Sequence, residues 1–170
     1  MILAFAPISG PHFNPAVTLA DAFQAGLPWH DVPAYVIAQM MGAFAGVAAA
    51  HLMFGEPLFF ASRHARAGAA QVFSEFVATF GLLAVIWGCA RLNASRVPFA
   101  VAAYITAAYW FTASTSFANP AVTIARALSD TFAGIRPADV APFIVAQFLG
   151  AAAAMLVCRA LLPRPPDDDK

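Results

Sequence analysis

Residues 14–18 and residues 119–123 spell the same phrase, Asn-Pro-Ala-Val-Thr. An asparagine followed by proline suits the start of a helix. The side-chain oxygen can cap free backbone N–H groups, and proline fits the first helical position. The carboxamide NH₂ then remains as a donor of two protons. A helix N-terminus also carries roughly half a positive charge from its aligned peptide dipoles. Asn14-Pro15-Ala16 and Asn119-Pro120-Ala121 are therefore suited to holding the oxygen of a neutral solute while repelling cations, hydronium included. Water between two such ends would turn its oxygen to both amides and break a continuous proton wire. A single copy would be no more than a capped helix. No nucleophile–base arrangement, Gly-rich phosphate loop or His/Cys pair at ligand spacing accompanies the repeat, so no enzyme, metal site or cofactor is expected.

The two phrases continue alike. Gln39 and Gly42 follow the first copy, and Gln147 and Gly150 follow the second, with Asn-to-Gln spacings of 25 and 28 residues. This is an internal repeat, and it constrains the architecture.

The elements that carry it are apolar. The chain is 61% hydrophobic and 11% charged, against roughly 25% charged in a soluble domain. Runs at 32–54, 72–90, 97–115 and 140–162 are almost free of charge. At about 1.5 Å per residue, a run of about 19 residues covers the roughly 30 Å of a bilayer core. The four runs are read as membrane spans rather than as buried helices of a large soluble bundle. Two short helices, 14–25 and 119–128, are read as re-entrant, the first about a third of a span and both too short to cross. The tail 163–170 is expected to be disordered, and the whole of 1–170 forms one membrane domain. A net charge of zero, with nine scattered Lys and Arg, gives no footprint for nucleic acid.

Three spans separate the two short helices. Three is odd, so the helices enter from opposite faces and their Asn ends meet at the midplane. The fold class is thus an all-α membrane protein, an inverted repeat with broken helices. Non-helical backbone at that depth is tolerated where it lines a wet path or is buried in protein. The positive-inside rule weakly favours Arg91, Arg96, Arg159, Arg164 and Lys170 as cytoplasmic over Arg63, Arg66, Arg126 and Arg136.

The pattern Ser9-Gly10-x-His12-Phe13-Asn14-Pro15-Ala16-Val17-Thr18, with Asn119-Pro120-Ala121, resembles the aquaporin and aquaglyceroporin family, the major intrinsic proteins. The resemblance runs from about residue 6 to the end of the fourth run. It implies a passive multi-pass channel of the plasma or inner membrane for water and small neutral solutes. It also implies a homotetramer when the full family architecture is present. That architecture has two further spans before the first Asn-Pro-Ala helix. Met1–Ile8 looks like the tail of the second, so the expectation is an N-terminally shortened member, a fragment, or a sequence whose start is assigned too late, and whether it conducts alone is open.

The family's filter has Arg three residues after the second Asn; Val122 stands there. The position on the preceding span falls at Ala107 or Ala108, and the loop position is Ser116. Small groups imply a wider constriction, and members of this kind resemble a subgroup associated with metalloid handling. The resemblance gives Glu75 a supporting role, accepting hydrogen bonds from a re-entrant loop. A carrier's proton relay would need charged partners in other spans. Gln39 and Gln147 are expected to serve the same purpose, and His12 to order the first re-entrant loop. Arg126 either snorkels to the interface or partly replaces the filter Arg. His30, His51 and His64 are expected at the interface. Gly42 with Gly46, and Gly150 with Ala154, read as close-packing faces. The competing readings are an ion-coupled carrier with broken helices, for which Glu75 is the only intramembrane charge, and a non-conducting fragment.

Overall fold

The computed structural model describes residues 1–161; the expectation for 163–170 lies outside them. Among the described residues the chain is all helical. Helices α1 (Ile2–Ser9), α2 (Pro15–Ala22), α3 (Val32–Phe54) and α4 (Ala69–Asn93) are followed by a 3₁₀ turn at Ala94–Arg96. Then come α5 (Val97–Phe111), α6 (Pro120–Arg126) and α7 (Pro137–Leu161).

Three helical stretches are long and apolar enough to cross a membrane: Val32–Phe54, Ala69–Phe111 and Pro137–Leu161. The second is two helices folded back on each other at the 3₁₀ turn. Tyr104 on α5 donates its hydroxyl to the Ala78 carbonyl of α4 at 3.0 Å. The same ring fills the space beside Gly81, where an added Cβ would meet the Tyr104 hydroxyl at 2.2 Å. The third expected span is shorter than 97–115. Helix α5 stops at Phe111 because Thr112 is extended and its hydroxyl turns back to the Ala108 carbonyl at 2.7 Å. Residues 112–119 form a re-entrant loop instead. The short helices are also shorter than 14–25 and 119–128. Left-handed Ala25 (φ 62°) closes the chain after α2, with the Gly26 amide on the Asp21 carbonyl.

The core is built from small side chains, which let helices approach closely. Ala16 and Ala20 of α2, Ala78 and Leu83 of α4, and Ala151 and Ala154 of α7 form one buried cluster. At Gly150 a Cβ would sit 2.4 Å from the Phe76 carbonyl, so α4 and α7 touch backbone to backbone there. Gly42 and Gly46 differ from the packing role expected of them: an added Cβ meets nothing within 4 Å at either. The α3 face bearing Ile37, Met41, Leu52 and Met53 is exposed, as suits hydrocarbon surroundings.

The half-helices run in opposite directions. Phe23, just past α2, accepts a hydrogen bond from Arg159 in the last turn of α7 at 2.8 Å. At the other end of α7, Asp139 binds the Arg66 amide at 2.9 Å. Arg66 shares the Phe117 ring with Arg126, the last residue of α6. Helices α2 and α6 therefore end beside opposite ends of α7.

Candidate functional site

The site forms where α2 and α6 begin. Asn14 and Asn119 have extended backbones (φ −151° and −156°), as N-caps require. The Asn14 Oδ1 accepts from the Ala16 amide at 2.9 Å. The Asn119 Oδ1 accepts from the Ala121 amide at 3.0 Å and the Val122 amide at 3.3 Å. Pro15 and Pro120 occupy the first helical turn, where a missing N–H costs nothing.

Each carboxamide also reaches across the repeat. Asn14 Nδ2 donates to the Ala118 carbonyl at 2.6 Å, and Asn119 Nδ2 donates to the Phe13 carbonyl at 2.9 Å. Each acceptor is the residue just before the opposite Asn. One amide proton per Asn is thus engaged, so at most one of the two that the sequence suggested stays free.

A second tier repeats the symmetry. Thr18 and Thr123 donate to the Asn14 and Asn119 carbonyls at 3.0 and 2.9 Å. Gln39 and Gln147 donate to those threonine hydroxyls, each at 2.8 Å. Gln39 also holds the His12 carbonyl at 3.0 Å, so His12 anchors its loop through its backbone. The His12 ring packs on Tyr35, whose hydroxyl donates to the Ser9 carbonyl.

Glu75 is fully buried on α4. Its two oxygens accept from the Phe117 and Ala118 amides, each at 2.8 Å, and from Gln147 at 2.7 Å. Gln71, Ser74 and Glu75 share one helical face. The three side chains satisfy loop 112–119 in turn, with Gln71 on the Ala113 carbonyl at 2.9 Å and Ser74 on the Ser114 amide at 3.2 Å. A non-helical segment buried in this way needs such partners.

The expected filter positions are dispersed. Val122 is half-buried and lines a cavity of about 740 Å³ between α3 and α6, with Gly46, Val47, His51, Arg126 and Thr131. Ser116 and Ala107 do not line it. Ser116 is buried and its hydroxyl has no hydrogen-bond partner. Ala107 is exposed on α5, whereas its neighbour Ala108 is fully buried.

Two residues carry more structure than the sequence indicated. His51, expected at the interface, is 4% exposed. The Leu58 carbonyl, 2.7 Å from Nδ1, can only accept, so in the neutral ring Nδ1 carries the proton and Nε2 accepts from the Ser129 hydroxyl at 2.9 Å. Arg66 looked like one charge among several in a polar connector. It is 6% exposed and heavily hydrogen-bonded. Neither fact has a local signal, because both depend on where distant loops return.

The model of the major intrinsic protein family matches residues 1–96. Aquaglyceroporin AqpS of Rhizobium meliloti (strain 1021) is 52% identical over 162 residues, covering 95% of this chain and 70% of that protein. Aquaporin NIP1-1 of Oryza sativa subsp. japonica is 44% identical over 95 residues, covering 55% of this chain and 34% of that protein. Aquaporin NIP1-3 of the same plant is 38% identical over 135 residues, covering 75% of this chain and 47% of that protein. The chain therefore spans less than half the length of these plant relatives.

Proposed function

The chain belongs to the major intrinsic protein family of membrane channels, and from that premise we propose that water and small neutral solutes pass between Asn14 and Asn119. The observation that carries this reading is the reciprocal pair of Asn-to-carbonyl hydrogen bonds. It holds two helix N-termini end to end, with at most one N–H of each carboxamide left for a solute. A solute oxygen accepts from these donors while two positive helix ends oppose a cation. Bulk flow needs no conformational cycle, so transport is passive and follows the solute gradient.

Val122 stands where a filter arginine would put five donors and a fixed charge. The small side chain of Val122 on the cavity between α3 and α6 leaves room for glycerol-sized or metalloid hydroxide solutes. A relative that is 52% identical over 95% of this chain is named an aquaglyceroporin, which favours the same size class. Assembly as a homotetramer, the family's usual form, is proposed on the same footing.

An ion-coupled carrier is less favoured. Its coupling carboxylate would be Glu75, whose oxygens are already occupied by three neutral donors. The test is stopped-flow light scattering of vesicles containing the chain, with osmotic gradients of sucrose and of glycerol. Swelling faster than in empty vesicles, unaffected by a pH or sodium gradient, is expected. Flux that requires an ion gradient would favour the carrier.

A further inference from the structure

Arg66 lies three residues before α4 begins, yet only 6% of it is exposed. Its guanidinium forks to two segments. Nη1 donates to the Ser114 carbonyl at 2.9 Å and the Thr115 hydroxyl at 3.3 Å. Nη2 donates to the Phe132 carbonyl at 3.0 Å and Nε to the Gly134 carbonyl at 2.7 Å. The Phe117 ring lies under it at 4.8 Å. Its own amide binds Asp139 in the first turn of α7 at 2.9 Å. One residue thus joins the loop entering α6, the connector leaving α6 and the start of α7.

The loop entering α6 needs such a hold. Thr115, Ser116 and Ala118 all have left-handed backbones, with φ of 59°, 47° and 46°. Residues with a Cβ, and β-branched ones above all, adopt that region only when surroundings impose it. In the first repeat the position four before the Asn is Gly10, with φ 77°, where the conformation is free of that penalty. The second repeat has Thr115 there and therefore depends on external contacts. Glu75 and Ser74 grip the loop's amides from α4. Arg66 grips a carbonyl, a hydroxyl and a ring from the connector.

Resting on the channel reading above, we infer that Arg66 is a positioning residue for selectivity: it pins loop 112–119 and both ends of α6, and so fixes Ser116 and Val122 beside the Asn pair. Only a planar fork suits this task. A lysine ammonium is a point donor on a flexible stem and cannot serve the loop and the connector, four acceptors in all, at once. Arg63, three residues earlier, is the natural control. Its side chain is 91% exposed and pairs with Asp130.

The test combines hydrogen–deuterium exchange of the chain in lipid nanodiscs with vesicle flux, for Arg66→Gln, Arg66→Lys and Arg63→Gln. In both Arg66 variants, amides 114–118 should exchange faster by roughly tenfold or more, the scale of losing charge-assisted hydrogen bonds. Amides within α3 and α7 should hold. The glycerol-to-water permeability ratio should change in both Arg66 variants and not in Arg63→Gln. Unchanged exchange at 114–118, full rescue by lysine, or faster exchange throughout the chain would each overturn the inference. If parent vesicles pass neither water nor glycerol, the channel reading fails, and the exchange measurement still decides whether Arg66 holds the loop.

Discussion

Asn14 and Asn119 each donate a side-chain proton to the backbone carbonyl that precedes the other, at 2.6 and 2.9 Å. The pairing is reciprocal, and it locks two antiparallel half-helices at their positive ends. Like dipole ends repel, so the contact needs compensation. Each bond supplies some of it, because a carbonyl oxygen of one loop faces the amide at the other helix's start.

Replacing Asn14 by Asp tests that lock. An aspartate still caps α2 and favours its N-terminus. It cannot donate to the Ala118 carbonyl, and it sets oxygen against oxygen. The expected cost is about 1–3 kcal/mol, read as a lower melting temperature in detergent. Proton leak into vesicles should rise, since a negative charge now sits between the helix ends. Unchanged melting and leak would show that the cross-repeat bond is incidental.

Glu75→Gln keeps the shape and removes the charge. A carboxamide has a single acceptor oxygen, so one of the Phe117 and Ala118 amides must face an NH₂ group. Hydrogen bonds to a charged group are worth about 1.5–3 kcal/mol, so marked destabilisation is expected. Gln147→Leu should lose less on top of Glu75→Gln than alone, because the two share one bond of 2.7 Å. Additive losses in thermal unfolding would contradict this coupling.

Two glycines at matched repeat positions should respond oppositely to alanine. At Gly150 the new Cβ would lie 2.4 Å from the Phe76 carbonyl and 3.0 Å from the Phe80 amide, both backbone atoms. Overpacking of that kind costs about 1–3 kcal/mol. At Gly42 nothing lies within 4 Å, and alanine in a helix gains about 0.5–1 kcal/mol over glycine. Thermal melts of the two variants give the signs directly.

Asp130 lies in the connector after α6. The Arg63 amide and side chain hold its carboxyl below the usual carboxylate range. A depressed folded value means the tie is complete above the ordinary carboxylate range and is lost as pH falls through the lowered value. Asp130→Asn should therefore flatten the acid limb of connector protection in hydrogen exchange. An unaltered limb would show that the ion pair has no linked effect.

The repeat made much of this site legible. Two identical phrases, an odd number of apolar runs and a capping preference for Asn-Pro are local or countable features. They point to the helix starts and to the opposed directions. Glu75 stood out because a carboxylate in an apolar run needs a reason. The end of α5 was not legible, because the run continues past Phe111 through Thr115 with no charge, proline or glycine to end it. The Thr112 hydroxyl on the Ala108 carbonyl ends the helix, and the acceptors and donors on α4 hold the loop that follows. Arg66 and His51 were hidden for a related reason: apart from Leu58 beside His51, their side-chain partners lie 48 to 78 residues away, in segments with no pattern of their own. Gly42 and Gly46 read like Gly150, yet only the last meets a neighbouring backbone. A small-residue pattern states that approach is possible and leaves open whether a helix arrives.

On the proposed reading, neutral solutes pass the Asn pair, and the small Val122 leaves room for those larger than water. Stopped-flow swelling of vesicles bearing the parent chain or Val122→Arg, with water and with glycerol, tests it most directly. The parent should pass both. The variant should keep most of its water flow and lose most of its glycerol flow, because a guanidinium narrows and charges the gap. Equal glycerol permeability in parent and variant, or parent vesicles no faster than empty ones, would contradict it.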